Sequence, residues 1–249
     1  MIPDTVIHIY YRGFLKSCNY SCSYCPFAKR PVSQKELEKD KEAISRFILW
    51  VKRQKNTLSI MFVPYGEALM HIHYIKAFAS LSKMPHVTAI SCQTNLSLNA
   101  DKFIKRLNEE NADLSKINLW TTFHSEMVNK ENFVEKIHYL NQHIDLCAGI
   151  AGSPQTIAEA ADLRKLLPKS VYLWVNAMDR IYLATALPFI YAMRKCKTIR
   201  AYLSGGIFAN GTDIRDIDSK YRHVVSMLPI NISVSKGVRT LVLRIKFFI

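Results

Sequence analysis

The sequence predicts an α/β fold, a partial (β/α)6 TIM-like barrel with parallel strands. Three observations carry that expectation. Short runs rich in β-branched and aromatic residues alternate with amphipathic helical patterns. Six such strand–helix pairs follow one another, which implies parallel strands joined by right-handed crossovers. At 249 residues the chain can form one large α/β domain, yet six units fall short of the eight that close a full barrel.

In chain order, residues 5–11 read as the first strand. Residues 34–54 read as a helix with Leu37, Ile44, Phe47, Ile48 and Val51 on its apolar stripe. Ser33 is its expected N-cap, with Glu36 three residues on, as in a capping box. A strand over 58–63 precedes a helix over 71–83. A strand over 87–92 precedes a helix over 100–109, and a strand over 117–122 precedes a helix over 130–142. A strand over 144–150 then leads to a helix over 154–167, where Pro154 suits the first turn. The sixth pair is a strand over 171–175 and a helix within 185–195.

Composition bounds the function. Hydrophobic residues make up 49% of the chain and charged residues 22%, ordinary values for a globular protein with a sizeable core. The formal net charge is +14. A basic excess attracts polyanions, but the basic residues are scattered and do not interleave with aromatics in one block. The charge therefore reads as a lysine-rich surface, and a nucleic acid partner is not expected. The first residues lack a basic region and carry Asp4, unlike a secretory leader. The most apolar long window, 171–193, is interrupted by Asn176, Asp179 and Arg180, so no membrane span is expected. The expected location is the cytoplasm.

Three of the six cysteines fall within eight residues, in the loop after the first strand: Cys18-Asn-Tyr-Ser-Cys22-Ser-Tyr-Cys25. A secreted disulfide framework would be spaced differently. A structural zinc site needs four ligands, and neither a second C-x2-C pair nor a nearby histidine outside the strand supplies the fourth. Three thiolates can instead hold three irons of a [4Fe–4S] cluster and leave the fourth iron open, as catalytic sites require. In these residues the sequence resembles the radical S-adenosylmethionine (SAM) superfamily, whose signature is C-x3-C-x-aromatic-C; Tyr24 fills the aromatic position. The resemblance implies that SAM chelates the open iron. It also implies that reductive cleavage of SAM gives a 5′-deoxyadenosyl radical, which takes hydrogen from a substrate.

The rule that barrel chemistry sits at the C-terminal ends of strands directs attention to the other strand ends. After strand two, Gly66 and Glu67 match the last two positions of the superfamily's Gly-Gly-Glu, with Tyr65 in place of the first glycine. Glu67 would accept hydrogen bonds from the SAM ammonium; taken alone, it reads as a solvated loop carboxylate. After strand three, Thr94 and Asn95 match Thr-Asn-Gly, with Leu96 for the glycine. They would line the pocket or, alternatively, cap a turn. After strand four, Thr122 and His124 are candidates for SAM contact, although a lone histidine is often structural. After strand five, residues 148–155 resemble G-x-I-x-G-x-x-E, with Ala148 and Gln155 at the departing positions. Ile150 would contact adenine, Gly152 would admit close backbone approach, and Gln155 would stand for the acid; a plain loop-to-helix junction also fits. Trp174, Asn176 and Asp179 lie near the sixth strand end. A narrower resemblance, to a small bacterial subfamily of the superfamily, is carried by Pro64-Tyr65-Gly66-Glu67-Ala68-Leu69 and Thr122-Phe123-His124.

Residues 1–200 thus read as a radical SAM core and 201–249 as an atypical C-terminal segment, a final strand or a truncated end. Cys92, Cys147 and Cys196 stand alone, so no auxiliary cluster is expected. The resemblance implies an unknown substrate, a peptide or small metabolite, and an electron donor such as flavodoxin or ferredoxin. Two readings stand beside it: an iron–sulfur electron-transfer or sensor protein without SAM cleavage, and an RNA-modifying or RNA-binding protein using its basic charge.

Overall fold

A computed structural model of the chain describes residues 6–25, 30–152, 157–177, 200–202 and 206–208. Strands and helices alternate as β1 (Ile7–Tyr11), α1 (Gln34–Lys52), β2 (Leu58–Phe62), α2 (Ile72–Ser82), β3 (Val87–Thr94) and α3 (Ala100–Glu109). They continue as β4 (Ile117–Phe123), α4 (Lys130–Leu140), β5 (Asp145–Gly152), α5 (Ile157–Leu166) and β6 (Leu173–Ala177). Two short strands, β7 (Arg200–Tyr202) and β8 (Gly206–Phe208), follow. The sheet order is β1-β2-β3-β4-β5-β6-β8-β7. β1 pairs with β2, β2 with β3 and β5 with β6, all in parallel. The class is α/β with the connectivity of a partial (β/α)6 barrel, as the alternation predicts.

Two details add to this expectation. β8 runs antiparallel to both β6 and β7, an addition to the predicted parallel set. Three-residue strands are too short to show a period-two pattern. Several strands also run further than predicted: β3 reaches Thr94, β4 Phe123, β5 Gly152 and β6 Ala177. Their polar or glycine ends read as loop, but the backbone keeps its sheet partners there. The helix expected within 185–195 lies outside the described residues, as do Asp179, Cys196, Gln155 and residues 209–249 of the C-terminal segment.

The chain divides into two compact units. The first contains β1–β3, α1–α3 and the start of β4. Here α1 starts at the predicted capping box: Glu36 N–H donates to Ser33 Oγ at 3.3 Å, and Ser33 N–H donates to Glu36 Oε2 at 3.0 Å. Each such cap contributes about 1 kcal/mol. The buried stripe of α1 is Asp40, Ile44, Phe47 and Val51. Phe47 meets Tyr11 at a centroid distance of 4.3 Å, and Phe62 on β2 meets Tyr11, Tyr74 and Phe78 at 5.2, 5.8 and 5.2 Å. Such aromatic pairs stabilise by roughly 0.5–1.5 kcal/mol beyond the area they bury. α3 is capped by Asn99, whose Oδ1 accepts from Lys102 N–H at 2.8 Å.

The second unit contains the end of β4, most of α4, β5, α5 and β6. Gly149 and Trp174 are register partners on β5 and β6. A Cβ on Gly149 would lie 2.1 Å from the Trp174 ring, so glycine is what lets the indole lie across β5. The Arg164 guanidinium donates to the carbonyls of Leu167, Pro168 and Val171 and closes the turn between α5 and β6. Among the described residues no helix is long and apolar enough to cross a membrane.

Candidate active site

The cysteine loop leaves β1 at Tyr11 and is tied down first by a residue of α1. Asp40 is fully buried. Its Oδ1 accepts from the N–H groups of Phe14 and Leu15 at 2.8 and 3.0 Å, and its Oδ2 pairs with His73 Nε2 of α2 at 3.0 Å. A Cβ on Gly13 would lie 2.5 Å from Asp40 Oδ1, so the loop passes this carboxylate only as glycine. Burial, and then the Asp40 charge, push the Tyr11 hydroxyl well above its usual pKa. One carboxylate thereby joins β1, α1 and α2 just ahead of Cys18. Asp40 and His73 were not among the expected site residues. The signal was present in the pattern, since Asp40 continues the apolar stripe of Ile44, Phe47 and Val51 at helical spacing. An acid on a buried stripe demands partners.

The Pro64-Tyr65-Gly66-Glu67 turn after β2 locks onto the same loop. A Cβ on Gly66 would stand 1.7 Å from the Ser17 carbonyl oxygen. Only glycine allows this approach, which places Glu67 N–H 3.0 Å from that oxygen. The Glu67 side chain is buried rather than solvated. Its Oε1 accepts from Leu69 N–H and Thr94 Oγ1 at 3.0 and 2.9 Å, and its Oε2 accepts from Asn95 N–H at 2.7 Å. Burial pushes its pKa up to about 7 against the pull of these three donors. A carboxylate has about four lone-pair sites, so one acceptor position remains, on Oε2.

The end of β3 completes the cradle. The Thr94 hydroxyl donates to Glu67 and accepts from Leu96 N–H at 3.0 Å. Leu96 has φ 57°, the left-handed region where the superfamily's glycine stands. Asn95 is 6% exposed. Its Oδ1 accepts from Ser97 N–H at 2.9 Å, while its Nδ2 donates to Asn19 Oδ1 at 3.0 Å and to Cys18 Sγ at 3.5 Å. Thr94 and Asn95 therefore act as turn-formers, and Asn95 also touches the cysteine loop.

Cys18, Cys22 and Cys25 carry free thiols; Cys22 is buried and the other two are half-buried. Cys18 Sγ also accepts from Tyr20 N–H at 3.4 Å. Burial raises the Cys18 pKa, which the Tyr20 and Asn95 hydrogen bonds oppose and the Glu67 and Cys25 charges reinforce. Burial likewise raises Cys22, where a hydrogen bond from Tyr24 pulls the other way and Cys25 and Cys18 add repulsion. Tyr24 is half-buried between Cys22 and Cys25. The donor set fits an iron–sulfur cluster: three soft ligands on one loop, close enough to repel one another as thiolates, with N–H donors already on Cys18. Among the described residues no three metal-ligating side chains stand together in their present rotamers. Cys18, Cys22 and Cys25 are the residues that would hold the cluster.

The remaining candidates lie in the second unit. Thr122 is half-buried near the end of β4, and His124 is the first residue beyond it. Burial lowers the His124 pKa to about 4, with Glu126 opposing, so its imidazole is neutral at neutral pH. Ile150 is buried inside β5 and Gly152 ends that strand. Trp174 and Asn176 lie within β6 rather than after it. Cys92 and Cys147 are fully buried thiols; burial raises both, Cys147 to about 12. They are inert as nucleophiles at neutral pH.

Strand ends, a glycine-locked turn and a three-thiol loop thus come together in an α/β protein of parallel strand–helix units. The chain matches the radical SAM superfamily over residues 14–167, well over half its length. It belongs to the radical SAM superfamily, and that membership implies an enzyme. A search of curated proteins found no match. Among solved structures, a crystal structure of BtrN in complex with AdoMet and 2-DOIA is similar, at 15% identity and a TM-score of 0.42, covering 70% of each chain.

Proposed function

We propose that this chain is a radical SAM enzyme that binds a [4Fe–4S] cluster through Cys18, Cys22 and Cys25 and cleaves SAM reductively to act on an unknown substrate, a peptide or small metabolite. The observation that carries the reading is the joining of three superfamily motifs in one unit: Gly66 and Glu67 packed on Ser17, and Asn95 bonded to Cys18. When bound, cluster and SAM supply a 5′-deoxyadenosyl radical that abstracts hydrogen. The chain's own residues prepare for this. Asp40 and the Gly66 turn fix the cysteine loop from two sides. Glu67 keeps one acceptor position on Oε2 for the SAM ammonium, held in place by Leu69, Thr94 and Asn95. Thr122, His124, Ile150, Gly152 and Gln155 are proposed SAM contacts, with neutral His124 offering an uncharged hydrogen-bonding group. The proposed reductant is a flavodoxin or ferredoxin, and the proposed location is the cytoplasm.

The test is anaerobic reconstitution with iron and sulfide, reduction, addition of SAM and assay of 5′-deoxyadenosine. Formation above a Cys25→Ala control is expected, because a methyl cannot replace a thiolate ligand. A wild-type chain that takes up no cluster would overturn the reading.

A further inference from the structure

One buried polar group beside the cysteine loop points at sulfur. Asn95 Nδ2 lies 3.5 Å from Cys18 Sγ, and its orientation is determined by its other bonds. Oδ1 is committed to Ser97 N–H at 2.9 Å, which turns Nδ2 toward Cys18 and Asn19. The backbone is pinned as well, since Asn95 N–H donates to Glu67 Oε2 at 2.7 Å. Buried Glu67 thus holds Asn95, and Asn95 holds Cys18. Asn19 Oδ1 receives Ser97 Oγ at 3.3 Å in addition to Asn95 Nδ2, so the amide has little freedom to swing away. A donor this constrained, 6% exposed and aimed at a ligand sulfur, changes the electrostatics of whatever that sulfur binds.

We infer that Asn95 is a positioning and tuning residue: its Nδ2–H···Sγ bond to Cys18 raises the reduction potential of the cluster and makes it easier to reduce. The inference rests on the cluster assignment proposed above. The reduced cluster carries one more negative charge than the oxidised one. A hydrogen bond to a ligand sulfur stabilises the more negative state more strongly, and the low local dielectric magnifies the difference. Sequence alone cannot show this, because Cys18 and Asn95 are 77 residues apart.

The experiment is a potentiometric titration of the reconstituted full chain without SAM, followed by absorbance and electron paramagnetic resonance, with iron and sulfide counted in each sample. Asn95→Leu keeps the size and removes the donor. Asn95→Asp keeps the Ser97 bond and replaces the donor by an acceptor. Asn95→Gln retains a donor. At equal cluster content, Leu and Asp are expected to move the midpoint to more negative potential. The expected change is about tenfold in the reduced-to-oxidised ratio at fixed potential, or about 59 mV for one electron. Gln should recover part of the shift. Should Asn95→Leu fail to hold a cluster, Asn95→Asp carries the comparison. An unchanged midpoint in a fully loaded Leu or Asp variant overturns the inference alone. A wild-type chain without any cluster overturns both it and the proposed function.

Discussion

At the scale of single residues, the site depends on positions where a side chain is forbidden or barely tolerated. Gly66→Ala would drive a Cβ into the Ser17 backbone carbonyl, and neither turn can move without carrying the cysteine loop along. The expected outcome is destabilisation by about 3 kcal/mol or more, in the range of strained or overpacked sites, together with loss of cluster uptake. Chemical denaturation and iron content report the two effects. Leu96 presents the opposite balance. Its left-handed backbone costs roughly 1–2 kcal/mol, yet its side chain is buried to 2% exposure and repays about 1.5–3 kcal/mol. Leu96→Gly should therefore destabilise the fold slightly, by about 1 kcal/mol, although glycine is the better residue for that φ. An increase in stability would show that strain outweighs burial there.

At the scale of elements, Asp40 is the joint of the first unit. It links the loop after β1 to α1 and α2 through two backbone N–H groups and His73. Asp40→Ala leaves two buried donors without acceptors and removes the partner of His73. A loss of about 3–5 kcal/mol is expected, as for other broken buried pairs, measurable by urea unfolding of the full chain. His73→Gln should cost less, because the two N–H bonds to Asp40 survive. If Asp40→Ala cost under 1 kcal/mol, the loop would be held by the Gly66 turn alone. The capping box at Ser33 and Glu36 works differently. Glu36 is half-buried, and hydrogen bonds from Arg30 and Ser33 hold its carboxyl well below the usual range; the effect is local to the first turn of α1.

At the scale of the whole molecule, acid sensitivity follows from histidines kept neutral by burial. His8, His71 and His124 all have lowered pKa values, His124 to about 4. An unfolded chain protonates each near pH 6.5. Between about pH 6.5 and 4 the unfolded state therefore binds more protons. Stability is present above 6.5 and is lost as pH falls through the folded pKa. His124→Gln should remove about one proton from the pH slope of unfolding in that window. A slope identical to wild type would mean that His124 titrates normally. The net charge of +14 adds self-repulsion that high salt should relieve.

The sequence by itself determined the alternation of strands and helices, the capping box, the three-cysteine loop and the candidates at strand ends. These are local signals: a period of 3.6 or 2, a hydrogen bond spanning three residues, or a ligand spacing within eight residues. Tertiary structure alone decided what the polar residues do. Taken alone, Glu67 reads as a solvated loop acid, yet it is buried and takes donors from Leu69, Thr94 and Asn95. Asp40, which drew no expectation, is buried and ties down the cysteine loop through Phe14 and Leu15. Asn95 reaches a sulfur 77 positions away. A buried polar group must find partners wherever the fold brings them, and one-dimensional spacing carries no record of which distant atoms those are.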